Sequence, residues 1–569
     1  MTTPVGMTMS TRRRWVLAAL CVSIAMVLAA RGLGNEAFLS THGDPPRYMM
    51  NAMFILDLLR DRPFESLDAL REYATLYYAR YPALSLGHHP PLVSVLQVPF
   101  LAVLGPSVTA LRLPLILASG TGVLFLYLLV TDLYDEWAGA AAGLVMAASP
   151  GLADLSQGVM SEPPAVAASV MAAYCLHRFC VSGRRSLLVW FSVAAVLSAL
   201  AKPNAVVAFP AFALYACVRL GWRRLLKPDL LATFVVVSVL AGSFVGVTAA
   251  ISSINMRRST AIVRATAGGA PDRVSERERR WLIWRAAGRV SADLPTVLDR
   301  QVTTGVAAVG LLGLLVMVAR RRPDAWLFGV WTLSTFVFVV LLTQRQEIPR
   351  YGVYWVPALA AGAGALASLV RKSRVAVALA AVLMLVEVGA NARSRIQGLE
   401  GYEQAARYIT AQPRGSTVMF SGDVDTGYFI FFVRKHDPQR RQIVLRSDKI
   451  FTVSDMRRID ALDLIEAQDQ VGPTLRRLGV GYVVIEDQPS RARVLEWLRA
   501  ELQHGPYVER LRVPIGTTDR RLQGVDLVVY EVPGAVRAEP DARLDLRLPI
   551  VSRQLDVPLD DLIARKHLR

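Results

Sequence analysis

The chain has 569 residues, 53% of them hydrophobic, with a mean hydropathy of +0.36 and a formal net charge of +18. An apolar fraction this high, gathered in blocks, excludes a soluble globular protein and points to several passages through a bilayer. The positive charge does not mark a nucleic-acid binder, because many Arg and Lys residues stand in short clusters between apolar blocks, as cytoplasmic loops require; a basic balance also favours anionic lipids and phosphate-bearing substrates.

Arg12, Arg13 and Arg14 precede the first apolar stretch, 15–30. The pattern resembles a signal peptide, but the following Arg31-Gly32-Leu33-Gly34-Asn35-Glu36 offers no small-residue cleavage site. The stretch is read as an uncleaved first span with a cytoplasmic N-terminus. Next comes Thr41-His42-Gly43-Asp44-Pro45-Pro46-Arg47-Tyr48. A carboxylate at the mouth of a membrane helix is costly unless it has water, a partner or a chemical task. Asp44 is therefore either a catalytic carboxylate or the opening of an Asp-Pro turn that starts the amphipathic segment 48–59.

Further apolar blocks run over 111–130, 137–152, 164–181, 187–201, 205–219, 230–251, 302–319, 325–343, 351–370 and 375–390, with a shorter one at 91–104. Basic clusters at Arg184-Arg185, 219–227, 320–322 and 371–374 mark cytoplasmic loops. The alternation closes only if one block before Arg184 does not cross. Block 91–104 is the shortest and carries Pro99, so it is read as an amphipathic helix on the outer face. About eleven crossings remain. The outer side then collects Asp44, His88, His89, Asp154, Glu162, Lys202, the loop 252–300 and residues 344–350. Acids, bases and histidines gathered on one side point to an outward-facing active site.

After Asn391 the composition changes to that of a soluble domain. The patterns predict helices over 402–412, 461–478 and 490–502, and strands over 416–420, 443–445, 481–485 and 525–531. Alternating strands and helices define an α/β domain. It has no glycine-rich phosphate loop, since Gly479 and Gly481 are too sparse for one. The division expected is a transmembrane domain, 1–395, with external loops 31–110 and 252–300, then an external soluble α/β domain and charged tail, 396–569. The cysteines, Cys21, Cys175, Cys180 and Cys217, all lie in or beside spans and form neither a disulfide framework nor a metal motif. No cofactor is called with certainty. A divalent metal ion at His88 and His89 is left open, although one adjacent pair is far from a complete site.

Six short motifs follow one another in order: Asp44-Pro45-Pro46-Arg47-Tyr48; His88-His89-Pro90-Pro91-Leu92; Leu111-Arg112-Leu113-Pro114; Ser149-Pro150 followed by Glu162; Lys202; and Arg350-Tyr351. Their order and character resemble the GT-C glycosyltransferases, specifically the dolichyl-phosphate-mannose–protein mannosyltransferases and the lipid A aminoarabinose transferase. The family's first motif carries two adjacent acids, and here Pro45 replaces the second. The resemblance implies a polytopic helical membrane enzyme that moves a sugar, with inversion, from a polyprenyl-phosphate carrier to a lipid, glycan or protein acceptor on the outer face of the cytoplasmic membrane. It implies Asp44 as general base, with Glu162 orienting the acceptor or helping to hold a cation. Arg47, Tyr48, His89, Lys202, Arg350 and Tyr351 would bind the donor, whose phosphate needs fixed cations as its charge grows. Nucleic acid is not an expected partner. The competing reading is a transporter or flippase of a lipid-linked sugar. It predicts an internal repeat with broken helices, which the sequence lacks.

Overall fold

The structure, a computed structural model, describes residues 11–37, 39, 43–85, 89–244, 246, 294–342, 348–370, 373–394, 398–412, 417–422, 426–454, 461–490, 492–534, 538–547 and 554–564. The chain divides into two compact units. The first takes residues 1–33, 112–246 and 273–395; the second takes 34–111, 247–272 and 396–569.

The first unit is helical, and within the described residues each expected apolar block falls in a helix or a broken helix. Thr11–Ala29 leads, and Val108–Leu133 is the longest at 26 residues. Glu136–Ala148 bends by 46° into Pro150–Gln157, because Ser149 caps the second piece and Pro150 cannot continue the first. Glu162–Ser182 ends on Gly183 in the left-handed region, the usual glycine stop. Arg185–Ala201, Phe209–Leu220, Thr304–Ala319, Asp324–Leu342, Val356–Ala367 and Ser373–Arg393 follow. Among the described residues, three helices are long and apolar enough to cross a bilayer, or up to five if each of two bent pairs counts as one span. Thr304–Ala319 and Val356–Ala367 cross at glycines: a Cβ on Gly313 would stand 1.9 Å from the Gly362 carbonyl oxygen. Small residues at a crossing let backbones close without a hydrophobic driving force.

Acids tie the ends of these helices together. Asp132 accepts from Arg14 and Arg178, each at 2.9 Å, and Arg322 donates to Asp324 at 3.0 Å. Arg112, fully buried, donates to the carbonyls of Ala29, Arg31 and Gly32 at 2.6–3.1 Å. It thereby satisfies the carbonyls that the end of the first helix leaves open, which gives the Leu-Arg-Leu-Pro motif a structural task.

In the second unit the segment after the first span packs with the C-terminal domain. Helices Pro45–Asp61, Leu67–Arg80 and Leu92–Leu104 come from that segment. The last has 13 residues and so spans about 20 Å, well short of a bilayer core. The strands are β1 (Thr417–Ser421), β2 (Ile443–Arg446), β3 (Thr452–Ser454), β4 (Ala461–Asp463), β5 (Val480–Glu486), β6 (Val508–Pro514), β7 (Asp526–Glu531), β8 (Arg543–Arg547) and β9 (Gln554–Pro558). The main sheet has the order β2-β1-β5-β7-β6, with β2, β1 and β5 parallel and β7 and β6 antiparallel. Leu76 and Ala79 join its core beside Met419, Leu445, Val483 and Leu498.

Two expectations need correction. The helix expected over 461–478 is strand β4 followed by a short helix, Val471–Arg477. Pro473 cannot sit deep in a helix, so the helix begins just before it. The tail also holds strands β8 and β9, paired antiparallel.

Candidate active site

Asp44 stands immediately before helix Pro45–Asp61, where a proline pair opens the helix. Its side chain makes no capping hydrogen bond. Its Oδ1 instead lies 3.6 Å from His89 Nε2 and 3.9 Å from Arg47 Nη1. The side chain keeps 14% of its exposure, while His89 is 8% exposed. Tyr48 is fully buried, with its ring 4.9 Å from that of His89. Its backbone carbonyl accepts from the Ser94 hydroxyl at 3.1 Å, which ties this turn to helix Leu92–Leu104. The structure thus brings Asp44, Arg47, Tyr48 and His89 together.

The second cluster lies in the first unit. Glu162 begins helix Glu162–Ser182 and is 0% exposed. Lys202 follows helix Arg185–Ala201 in extended backbone, as a residue before proline prefers. Its Nζ approaches Glu162 Oε1 to 3.2 Å, and Arg350 Nε stands 3.9 Å from the same oxygen. Arg350 donates from Nη2 to the Tyr351 hydroxyl at 2.8 Å, and its guanidinium carbon lies 4.8 Å from the centre of that ring. Glu162, Lys202, Arg350 and Tyr351 therefore form one cluster of two cations and one carboxylate. Among the described residues the two cations outnumber the one carboxylate, a composition that suits an anion in a largely buried setting.

His88, the loop residues 252–293 and residues 344–347 lie outside the described residues. Among the described residues no three His, Cys, Asp or Glu side chains form a metal-binding group. The metal ion left open at His88 and His89 thus falls partly outside the described residues.

Three features escaped the sequence reading. Asp57, 13 residues beyond Asp44, is buried and takes two hydrogen bonds from Arg434, at 2.7 and 2.9 Å, and one from the Tyr77 hydroxyl at 2.8 Å. Burial and the Asp57 charge together raise the Tyr77 hydroxyl pKa well above its ordinary value. Asp61 is paired with Arg440 and takes a hydrogen bond from Tyr73. Glu387, buried on the last helix of the first unit, accepts from the backbone N–H and hydroxyl of Thr303 at 2.8 and 3.1 Å. Each pairs groups far apart in sequence, which no local pattern announces.

A family model described as dolichyl-phosphate-mannose-protein mannosyltransferase matches residues 88–245. The fold is similar to that of ArnT from Cupriavidus metallidurans in the apo state, at 15% identity and a TM-score of 0.56, covering 93% of this chain and 100% of that one. The same enzyme bound to undecaprenyl phosphate matches at 15% identity and 0.55, covering 92% and 99%. The archaeal oligosaccharyltransferase AglB from Archaeoglobus fulgidus, in complex with an inhibitory peptide and a dolichol-phosphate, matches at 13% and 0.52, covering 83% and 69%. No curated protein matches the chain. The family model covers residues 88–245, the other matches are likenesses of fold, and both agree with the resemblance that the motifs carry.

Proposed function

We propose that the chain transfers a sugar from a polyprenyl-phosphate carrier to an acceptor hydroxyl or amine of a lipid, glycan or protein on the outer face of the membrane, with inversion at the anomeric carbon. The observation that supports this is the placement of Asp44, a partly exposed carboxylate beside His89 and Arg47 at the start of helix Pro45–Asp61. Asp44 takes the acceptor proton as the new bond to the anomeric carbon forms. The bond from that carbon to the phosphate oxygen breaks, and the polyprenyl phosphate leaves with the electron pair. Lys202 and Arg350 offset the growing charge on the phosphate, Lys202 as a point charge and Arg350 through several N–H groups. Glu162 holds those cations in place and orients the acceptor. Arg47, Tyr48, His89 and Tyr351 bind the donor.

The topology belongs to the same proposal. About eleven spans, a cytoplasmic N-terminus and external residues 396–569 follow from the alternating basic clusters. The domain division at 395/396 follows from the change in composition. A cysteine introduced at Gln442 should react with an impermeant reagent only after local opening, because Gln442 is buried. Glu466 is exposed and gives the cleaner test. Glu466→Cys should label from outside intact cells, and labelling only after permeabilisation overturns the topology. For the reaction, the purified chain should consume a labelled polyprenyl-phosphate sugar when an acceptor is added. Transfer from a nucleotide sugar with no lipid present would rule the donor assignment out.

A further inference from the structure

Arg350 and Tyr351 sit on short pieces of chain. Helix Ile348–Tyr351 has four residues, and the tighter turn that follows it, Gly352–Trp355, has four more. A helix so short does not hold itself, and tertiary contacts must fix it. On one side the Phe338 ring meets the Tyr351 ring nearly edge-on, with centroids 5.6 Å apart. On the other side the chain meets Gln301 at Gly352.

Gln301 ends helix Leu294–Gln301 and is 3% exposed. A Cβ on Gly352 would stand 2.9 Å from Gln301 Cγ and 3.0 Å from a Val297 methyl carbon. A Cβ on Gly151, in helix Pro150–Gln157, would stand 2.7 Å from the Gln301 amide carbon and 2.9 Å from its Cα. Packed atoms do not come so close, so Gln301 fills a slot that two glycines leave open. Its own backbone is held still. The Ser149 hydroxyl donates to the Gln301 carbonyl at 2.6 Å. The chain then turns by 96° into helix Thr304–Ala319. Glu387 accepts from the Thr303 N–H and hydroxyl, and Asp299 accepts from the Thr304 N–H and hydroxyl, both at 3.0 Å. These five hydrogen bonds fix the corner, and none of them involves Glu162, Lys202, Arg350 or Tyr351.

We infer that Gln301 is a positioning residue for the phosphate-binding cluster: its side chain is the spacer between the fixed corner and Gly352, and it sets Arg350 and Tyr351 at their distance from Glu162 and Lys202. Arg350 Nε lies 3.9 Å from Glu162 Oε1, and Lys202 Nζ lies 3.2 Å from the same oxygen. A phosphate held by both cations tolerates little change in that spacing, because hydrogen bonds between ions are made at about 2.7–2.9 Å. Gly352 is two residues beyond Arg350, so a shift of its backbone is passed on to the guanidinium. The inference rests on the reading of Lys202 and Arg350 as the donor's phosphate site; the geometry of the corner stands apart from that reading.

The test uses the full chain in detergent, with undecaprenyl phosphate as the probe. Its Kd is read by titration of tryptophan fluorescence, and Tm is read on the same samples. The natural protein should bind. Gln301→Ala empties the slot and should raise Kd roughly 10-fold, the low end of what a hydrogen bond to a charged group contributes. Gly352→Ala crowds the slot and should raise Kd to a similar extent. The double variant should bind better than the two losses combined predict, because the new methyl group takes space that Gln301 has vacated. Residues in contact couple in this way, whereas independent ones add. A lower Tm with unchanged Kd in Gln301→Ala makes Gln301 a packing residue and overturns the inference, and so do losses in Kd that simply add. If Gly352→Ala does not fold, Gln301→Ala alone decides, since it removes atoms and adds none. Failure of the natural protein to bind undecaprenyl phosphate overturns the donor reading, and the inference with it. Binding by the natural protein that Gln301→Ala leaves intact refutes the inference alone.

Discussion

The two units hold their key carboxylates in opposite ways. Glu162, in the helical unit, has no exposure and two cations on one of its oxygens, the nearer at 3.2 Å. Asp44, in the other unit, is partly exposed, with His89 Nε2 3.6 Å and Arg47 Nη1 3.9 Å from its Oδ1. Desolvation makes a buried ion pair costly to form and more costly to break. We propose that an acid held this way serves to fix the cations in place. A partly exposed acid can be reached by an acceptor group, as a general base must be. The difference teaches that carboxylates of equal prominence in the sequence can sit in unlike environments, and the proposed division of their tasks follows that difference.

The sharpest way to break that comparison is to remove basicity from each acid and keep its shape. Asp44→Asn should insert and bind carrier lipid normally, while its turnover falls by on the order of 10²–10⁴, the usual contribution of a positioned base. Glu162→Gln should cost less turnover and shift the donor KM. Single-turnover assays on both variants decide the matter. Near-normal turnover in Asp44→Asn with an inactive Glu162→Gln exchanges the two roles.

A second contrast concerns buried pairs that do no chemistry. Arg434 and Asp57 join two helices of the second unit and are 5% and 1% exposed. Arg434→Met strands the Asp57 charge and should cost about 3–5 kcal/mol of stability. The double variant with Asp57→Asn should regain part of that loss. Chemical unfolding of the three variants, followed by circular dichroism, checks this. A double variant no better than the single one means that the pair is not the source of the effect.

In the helical unit the corresponding pair should behave differently, because its cation is assigned to the donor. Lys202→Met also strands a buried acid, yet its distinctive mark should be a rise of roughly 10–100-fold in donor KM, the worth of a hydrogen bond to a charged group. Acceptor KM should move little. A loss of stability with donor KM unchanged would reduce Lys202 to the structural status of Arg434.

Much of this was legible because membranes write strong signals. Blocks of apolar residues fall in helices, and Pro99 together with the short block 91–104 leads to a 13-residue helix. The local motifs around Asp44 and around Arg350-Tyr351 hold together in space. What stayed hidden depends on long-range pairing. Asp57 and Arg434 are 377 positions apart. The packing of the 34–111 segment with the C-terminal domain likewise leaves no mark in hydropathy. Arg112 looked like part of a family motif, and only the carbonyls it meets give it a task. Helix Thr426–His436, with Tyr428 to Val433 almost wholly buried, carries too little periodicity to separate helix from strand.

The smallest effect separates the units by pH. Glu403 lies in the second unit, outside the spans. Burial alone would push its carboxyl up, but hydrogen bonds from His436, Lys435 and Arg407 outweigh it and hold the pKa at about 2. The ordinary value is 4.5. A carboxyl held below its unfolded value contributes stability that is fully present above that value. The contribution disappears as pH falls from 4.5 toward 2. Lys435 also bonds Glu36 at 2.8 Å, so protonation of Glu403 loosens one corner of a network without dissolving it. Thermal unfolding read on the sheet signal should therefore lose a few degrees between pH 4.5 and 2. Glu403→Gln should start less stable at neutral pH and lose less over the same window, because it has no charge left to neutralise. If the variant and the natural protein show parallel pH profiles, the acid sensitivity of this unit comes from another carboxylate, and Asp487, also held low where Arg512 and Arg499 outweigh burial, is the next to replace.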